Sequence, residues 1–113
     1  MTKTEMQLLE SGERSVFFKR EIVKRNHIFD ANQSNIERMK QGLAPVGKDG
    51  GPVNLHHMKQ QSNGIIVEVS DEEHKGLFQT LHRYAGKGES EVDHGNDWNT
   101  FRSAYWKERA KDF

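Results

Sequence analysis

The feature that most constrains the fold is a strand, turn, strand and helix pattern in the middle of the chain. Residues 53–58 form a short apolar segment, and the turn at 61–64 contains the Asn-Gly pair favoured in tight hairpins. The run Ile65–Val69 is rich in β-branched residues and is the clearest strand of the sequence. An acidic first turn then suits the positive end of a helix over about residues 71–84. The pattern therefore predicts a ββα unit.

Helices are expected on both sides of this unit. Over residues 13–26, apolar pairs recur every five or six positions with basic residues between them, which favours an amphipathic helix over strands. A second helix is expected over about 32–41, with a cap at Asp30 or Asn32 and an end at Gly42. From Asn96 onward, aromatic residues at spacings of three and four predict a final amphipathic helix.

The length favours one domain, because 113 residues leave no room for two independent cores. We therefore expect a single α+β domain over residues 1–113, with helices around a small β-hairpin platform. Its expected parts are a helical N-terminal part (1–41), the ββα core (42–84) and the C-terminal helix (96–113).

Composition excludes several kinds of chemistry. The chain has no cysteine, so a metal must be bound by imidazole, carboxylate or carbonyl groups, and thiol nucleophiles are excluded. The 17 basic residues offset 17 acidic ones, so a polyanion must be bound by a local patch. The longest apolar runs are far shorter than a membrane span, so no membrane partner is expected.

Histidines are the first functional signal, since four of the six lie between positions 56 and 82. His56 and His57 are neighbours on a predicted strand, so their rings should point to opposite faces and do different jobs. His74 and His82 lie on the predicted helix, separated by about 80° of rotation and roughly 12 Å of rise. Either that helix begins after Gly76, with His74 in a loop that folds back, or one of these two histidines contacts phosphate instead of the metal.

The residues around these histidines carry a family resemblance. The block Gly42–Met58, followed by Val67–His74 and Leu81–Tyr84, resembles the LHH nuclease family of the HNH/endonuclease VII superfamily. The closing segment Arg102–Phe113 also resembles the end of such domains. Leu-His-His alone matches many unrelated chains by chance, whereas the ordered combination is specific.

The resemblance implies a treble-clef-like ββα-metal site that hydrolyses phosphodiester bonds with one divalent metal ion. On matching positions His56 is a metal ligand and His57 the base that activates water. His74 and His82 complete the set of four functional histidines, and at least one of them binds the metal. An unperturbed imidazole titrates near 6.5, so a neutral His57 can accept a proton. Imidazole ligands suit zinc or nickel, whereas magnesium and manganese prefer oxygen ligands. The sequence does not decide which of these four metals is bound.

Basic residues near the site are expected to bind substrate. They are Lys59, Lys75 and Arg83, although solvated helix faces have the same appearance in a sequence. Arg83 follows His82 directly, and a guanidinium beside a metal can hold the scissile phosphate through two hydrogen bonds. We therefore expect a catalytic role for Arg83 as well.

The resemblance also implies a biological setting. Such domains are typically the C-terminal toxic modules of bacterial polymorphic toxins, delivered into the cytoplasm of competing cells as part of a larger secreted protein. The producing cell is protected by an immunity protein, which we expect to be acidic. DNA is the expected substrate, with an RNase of the same fold or a non-catalytic metal- or protein-binding module as the alternatives.

Overall fold

The computed structural model describes residues 3–58, 64–76 and 96–113. The N-terminal elements are helix α1 (Lys3–Glu10), strands β1 (Glu13–Phe17) and β2 (Arg20–Lys24), a 3₁₀ turn (Asn26–Ile28) and helix α2 (Gln33–Lys40). Strands β3 (Asn54–His57) and β4 (Ile66–Val69) follow, then helix α3, described over residues 71–76. Helix α4 (Asn96–Arg109) and a 3₁₀ turn (Ala110–Asp112) end the chain. None of the helices in these ranges is long and apolar enough to cross a membrane.

The four strands form one mixed sheet in the order β1-β2-β4-β3. Strands β3 and β4 pair antiparallel, with His56 opposite Val67 and His57 opposite Ile66, as the ββα pattern predicts. Strand β2 pairs with β4 in parallel and with β1 antiparallel. The sheet and its flanking helices confirm the α+β class.

The helix predicted over residues 13–26 is wrong, and residues 1–41 are not a purely helical part. Strands β1 and β2 form a hairpin whose turn residues, Phe18 and Lys19, both have positive φ angles of 47° and 65°. The neighbours Ile22 and Val23 are both buried, because β2 lies inside the sheet and both of its faces are covered. In the sequence, two adjacent apolar residues between charged ones look the same as the apolar face of one turn of an amphipathic helix.

Helix α2 confirms the expected caps. The side chain of Asn32 accepts a hydrogen bond from the backbone N–H of Asn35 at 2.8 Å. Gly42 ends the helix with a φ of 84°, and the next residue, Leu43, donates its N–H to the carbonyl of Arg38 at 2.9 Å. A Cβ at Gly42 would collide with the hydroxyl of Ser103, so this glycine lets α2 approach α4 closely.

The sheet is covered on both faces. On one face Ile22 and Ile66 pack against aromatic residues of α4, including Tyr105 and Trp106. On the other face, a second apolar cluster joins the sheet to α1; its members are Leu8, Leu9, Val23, Met58, Val67 and Val69. Alternate residues of β4 therefore face different cores.

A buried carboxylate lies in the middle of β4. Glu68 is fully buried and accepts hydrogen bonds from the Tyr105 hydroxyl at 2.5 Å and from Nε of Arg109 at 2.8 Å. Its Oε1 also accepts from the backbone N–H of Arg25 at 2.9 Å. This ionic cluster connects β4, α4 and the residue that follows β2 at one point.

Candidate active site

The adjacent histidines of β3 lie on opposite faces of the sheet, as predicted for strand neighbours. The ring of His57 contacts Trp98 of α4, with centroids 4.3 Å apart and planes inclined at 52°. The ring of His56 faces the other way and meets the ring of His74, with centroids 6.2 Å apart at 74°. Both strand histidines are buried. The fold therefore brings the strand histidine and the first helix histidine together.

His74 lies in the first turns of α3 and not in a loop before it. The helix is already formed at residue 71 and begins with a capping box. The Ser70 hydroxyl accepts from the N–H of Glu73 at 3.1 Å, and a Glu73 carboxylate oxygen accepts from the N–H of Ser70 at 2.8 Å. A helix starting only after Gly76 is therefore excluded.

Glu73 also anchors this turn to the sheet. Its two oxygens accept hydrogen bonds from the two terminal nitrogens of Arg25 at 2.8 and 3.0 Å. Burial opposes ionisation of Glu73, but the bonds from Arg25 and Ser70 together outweigh it and hold the pKa of this carboxyl below its ordinary value. Because Arg25 also donates to the carbonyl of Glu68 at 3.0 Å, the residue next to His74 is fixed to β4.

The other predicted site residues fall in different places. Lys75 is exposed, and its Nζ lies 3.1 Å from Oδ2 of Asp71 on the same helix. Lys59, His82 and Arg83 lie outside the described residues, as do the turn at 61–63 and the predicted helical residues 77–84.

Two of the predicted ligands suit a shared ion. An imidazole nitrogen binds zinc at about 2.0–2.1 Å, so the centroids of two rings on one tetrahedral ion lie roughly 5 Å apart. The 6.2 Å between His56 and His74 is longer than this by about 1 Å, so a small inward movement of the rings would let both bind one ion. In the part of the chain that the structure describes, no group of three His, Cys, Asp or Glu residues is placed to hold a metal. The described donor set is thus a pair of imidazoles.

A cleft of about 330 Å³ opens beside His74. Its walls are residues 42–44, which follow α2, residues 53–55 around the start of β3, and α4. From α4, the polar residues Asn99, Arg102 and Ser103 line it together with two tryptophans. Sequence reasoning did not single out these polar residues, although their spacing places them on one helix face.

These features define an α+β protein with a ββα histidine site, in which a strand and the helix after its hairpin each contribute one ring. The chain belongs to the LHH family, whose model matches residues 34–112 and is described as a nuclease of the HNH/ENDO VII superfamily with conserved LHH. The tripeptide in this chain is Leu55-His56-His57 of β3. No solved structure matches the chain.

Proposed function

We propose that this nuclease is a metal-dependent endonuclease that hydrolyses phosphodiester bonds of DNA. The observation that carries the proposal is the 6.2 Å approach of the His56 and His74 rings, one from β3 and one from α3. Family membership supports nuclease activity, and the paired imidazoles support its dependence on a divalent ion. RNA cleavage is the outcome that would correct the substrate.

Each histidine then has a distinct task. Phosphodiester hydrolysis requires a base for the attacking water and a cation that offsets charge on the phosphate and the leaving oxygen. A bound divalent ion would supply that positive charge, held by His56 and His74, and His82 would then contact the phosphate. His57 accepts the proton of water on an imidazole nitrogen, and its contact with Trp98 fixes the orientation of the ring.

Cations complete the proposed site. Arg83 would hold the scissile phosphate, and Lys59 and Lys75 would neutralise neighbouring phosphates of the strand. The ion pair of Lys75 with Asp71 supports this role, because exposed pairs are worth little and exchange readily for a phosphate.

A plasmid-nicking assay tests the proposal. The wild-type chain should nick supercoiled DNA, lose the activity in EDTA and regain it when a divalent metal is added. His57→Ala should lower the rate about 10²–10⁴-fold, because a general base is removed. His56→Ala should lose cleavage through weaker metal binding, so raised metal concentration should rescue it but not His57→Ala.

The same assay separates the alternatives. Cleavage of structured RNA in place of plasmid would make the protein an RNase. Metal binding in calorimetry with no cleavage of either nucleic acid would make it a non-catalytic module. Wild-type rates in His57→Ala would remove that residue from the mechanism.

We further propose that the nuclease is the toxic C-terminal module of a bacterial polymorphic toxin, delivered into the cytoplasm of target cells. An acidic immunity protein would protect the producing cell. The chain has zero net charge, so such a protein would bind the local group of cations at the active site through complementary charge. Expression of residues 1–113 should arrest bacterial growth, whereas His57→Ala should be tolerated. Harmless accumulation of the active chain with intact nucleic acids would contradict the toxin role.

A further inference from the structure

The cleft between β3 and α4 has features of a second binding surface next to the histidine pair. His74 forms part of its wall, so the cleft begins at the proposed metal site. It then extends along α4 past Asn99, Arg102 and Ser103. If a nucleic-acid strand is bound with one phosphate at the histidines, its next nucleotide therefore lies in this cleft.

The charge of the cleft favours an anion. None of the described residues that line it is Asp or Glu, in a chain that has 17 acidic residues. Arg102 is exposed, and it forms no ion pair with a carboxylate of the described residues. Lys107 adds a second cation at the rim, where its side chain approaches Gly42.

The guanidinium of Arg102 is also oriented. One terminal nitrogen donates a hydrogen bond to Oδ1 of Asn99, one turn earlier on α4, at 2.7 Å. Within the described ranges the guanidinium has no other acceptor for its four further N–H groups, and their fork geometry suits phosphate. Trp98 and Trp106 form the buried back of the cleft, an apolar wall for a sugar or base.

We propose that this cleft binds the nucleic-acid strand beside the scissile bond, with Arg102 holding a flanking phosphate. The proposal rests on the proposed endonuclease function and adds the surface along which the substrate strand lies. Arg102 is then a substrate-binding residue and not a metal ligand or base.

The cleft is tested apart from catalysis by measuring how tightly the His57→Ala chain binds a short labelled DNA duplex. Binding is followed by fluorescence anisotropy in the presence of EDTA. Adding Arg102→Gln should weaken binding about ten-fold, because one charge-assisted contact is lost. The slope of log affinity against log salt concentration should fall by about one. Arg102→Lys should keep the salt slope and lose part of the affinity.

Arg14→Gln is the matched control. It removes the same charge from β1, at the opposite edge of the sheet from β3, and should leave affinity and salt slope unchanged. Equal effects of the two substitutions would overturn the cleft proposal, as would an unchanged affinity in Arg102→Gln with a wild-type circular dichroism spectrum. In the active chain, Arg102→Gln should lower kcat/KM while calorimetric metal affinity stays the same.

The two proposals fail in distinguishable ways. Metal-dependent cleavage by the wild type with no effect of Arg102→Gln on binding or kcat/KM would reject the cleft and keep the endonuclease. Loss of binding in Arg102→Gln together with an inactive wild type would keep the cleft and reject the catalytic proposal.

Discussion

Glu68 shows how one residue can decide the stability of this fold. It occupies a buried position of β4 that would suit an apolar residue. Its side chain is fully shielded from solvent and accepts hydrogen bonds from Tyr105 and Arg109. Burial would lower the pKa of Arg109, but the bond and charge of Glu68, together with Tyr105 and Asp112, outweigh this and raise that pKa above its ordinary value. The charge of Arg109 is thus stabilised inside the protein by the carboxylates of Glu68 and Asp112.

Replacing Glu68 by Gln should therefore lower the free energy of unfolding by about 3–5 kcal/mol, because the buried guanidinium of Arg109 keeps only the partly exposed carboxylate of Asp112 as an ionic partner. The double variant with Arg109→Met should be less destabilised than the sum of the two single variants. Urea unfolding followed by circular dichroism measures all three. Glu21→Gln serves as the control: its pair with Arg14 is exposed at 3.9 Å, and its removal should cost about 0.5 kcal/mol or less. Additive single effects at Glu68 and Arg109 would contradict the coupling.

At this scale the sequence reveals some residues and hides others. The opposite orientation of His56 and His57 follows from strand geometry alone, and the structure shows it. The hydrogen-bond partners of Glu68 are 37 to 43 residues away in the sequence, so no local sequence pattern predicts them. One signal was available: a single carboxylate inside a β-branched strand needs buried donors, and Tyr105 and Arg109 are spaced four apart on a predicted helix.

At the scale of elements, the turn between β1 and β2 is the least favourable local choice in the described chain. Tight hairpins with two positive φ angles prefer Asn-Gly, and here Phe18 and Lys19 occupy both positions. A side chain in the left-handed region costs roughly 1–2 kcal/mol relative to glycine. The hairpin forms nevertheless because β2 is held on its other side by β4.

Lys19→Gly should accordingly raise the free energy of unfolding by about 0.5–1 kcal/mol, since relief of the left-handed backbone exceeds the added entropy of the unfolded chain. Lys19→Ala removes the same long side chain but keeps the Cβ, and should not produce this gain. Thermal and urea unfolding of the two variants decide the matter. Equal stability of the Gly and Ala variants would show that the backbone at Lys19 carries no such strain.

The same hairpin explains which elements sequence patterns predict well. Caps at Asn32 and Gly42 and the aromatic spacing of α4 are local signals, and they predict α2 and α4 correctly. Residues 20–24 form a strand because β4, more than 40 residues later, pairs with them through backbone hydrogen bonds. A parallel partner that distant leaves no trace in the local spacing of apolar residues.

At the scale of the whole molecule, the last turn of the chain is fastened to β2. Asp112 lies 2.8 Å from Nζ of Lys24 and 3.0 Å from a terminal nitrogen of Arg109. Burial opposes ionisation of Asp112, but these two cations outweigh it and hold its pKa below the ordinary value. The unfolded chain therefore takes up this proton at a higher pH than the folded protein does.

It follows that the contribution of Asp112 to stability is fully present above about pH 4 and is lost as the pH falls through its lowered folded-state pKa. Asp112→Asn should be less stable than wild type at pH 7, and the difference should shrink on acidification. Urea unfolding at several pH values between neutral and acidic measures this difference. It should be smaller throughout in a Lys24→Met background. A difference that is constant with pH would contradict the ionic origin.

The parallel pairing of β2 with β4 has a consequence for where this domain can be cut. The family match begins at residue 34, after β2, yet β2 supplies the hydrogen-bond partners of one side of β4. A fragment trimmed to the matched segment would present Ile66–Val69 as an open, largely apolar sheet edge, which is a template for pairing with another chain. Such a fragment should aggregate or exchange strands between molecules. The residues before the family signature thus protect β4 from pairing with another chain.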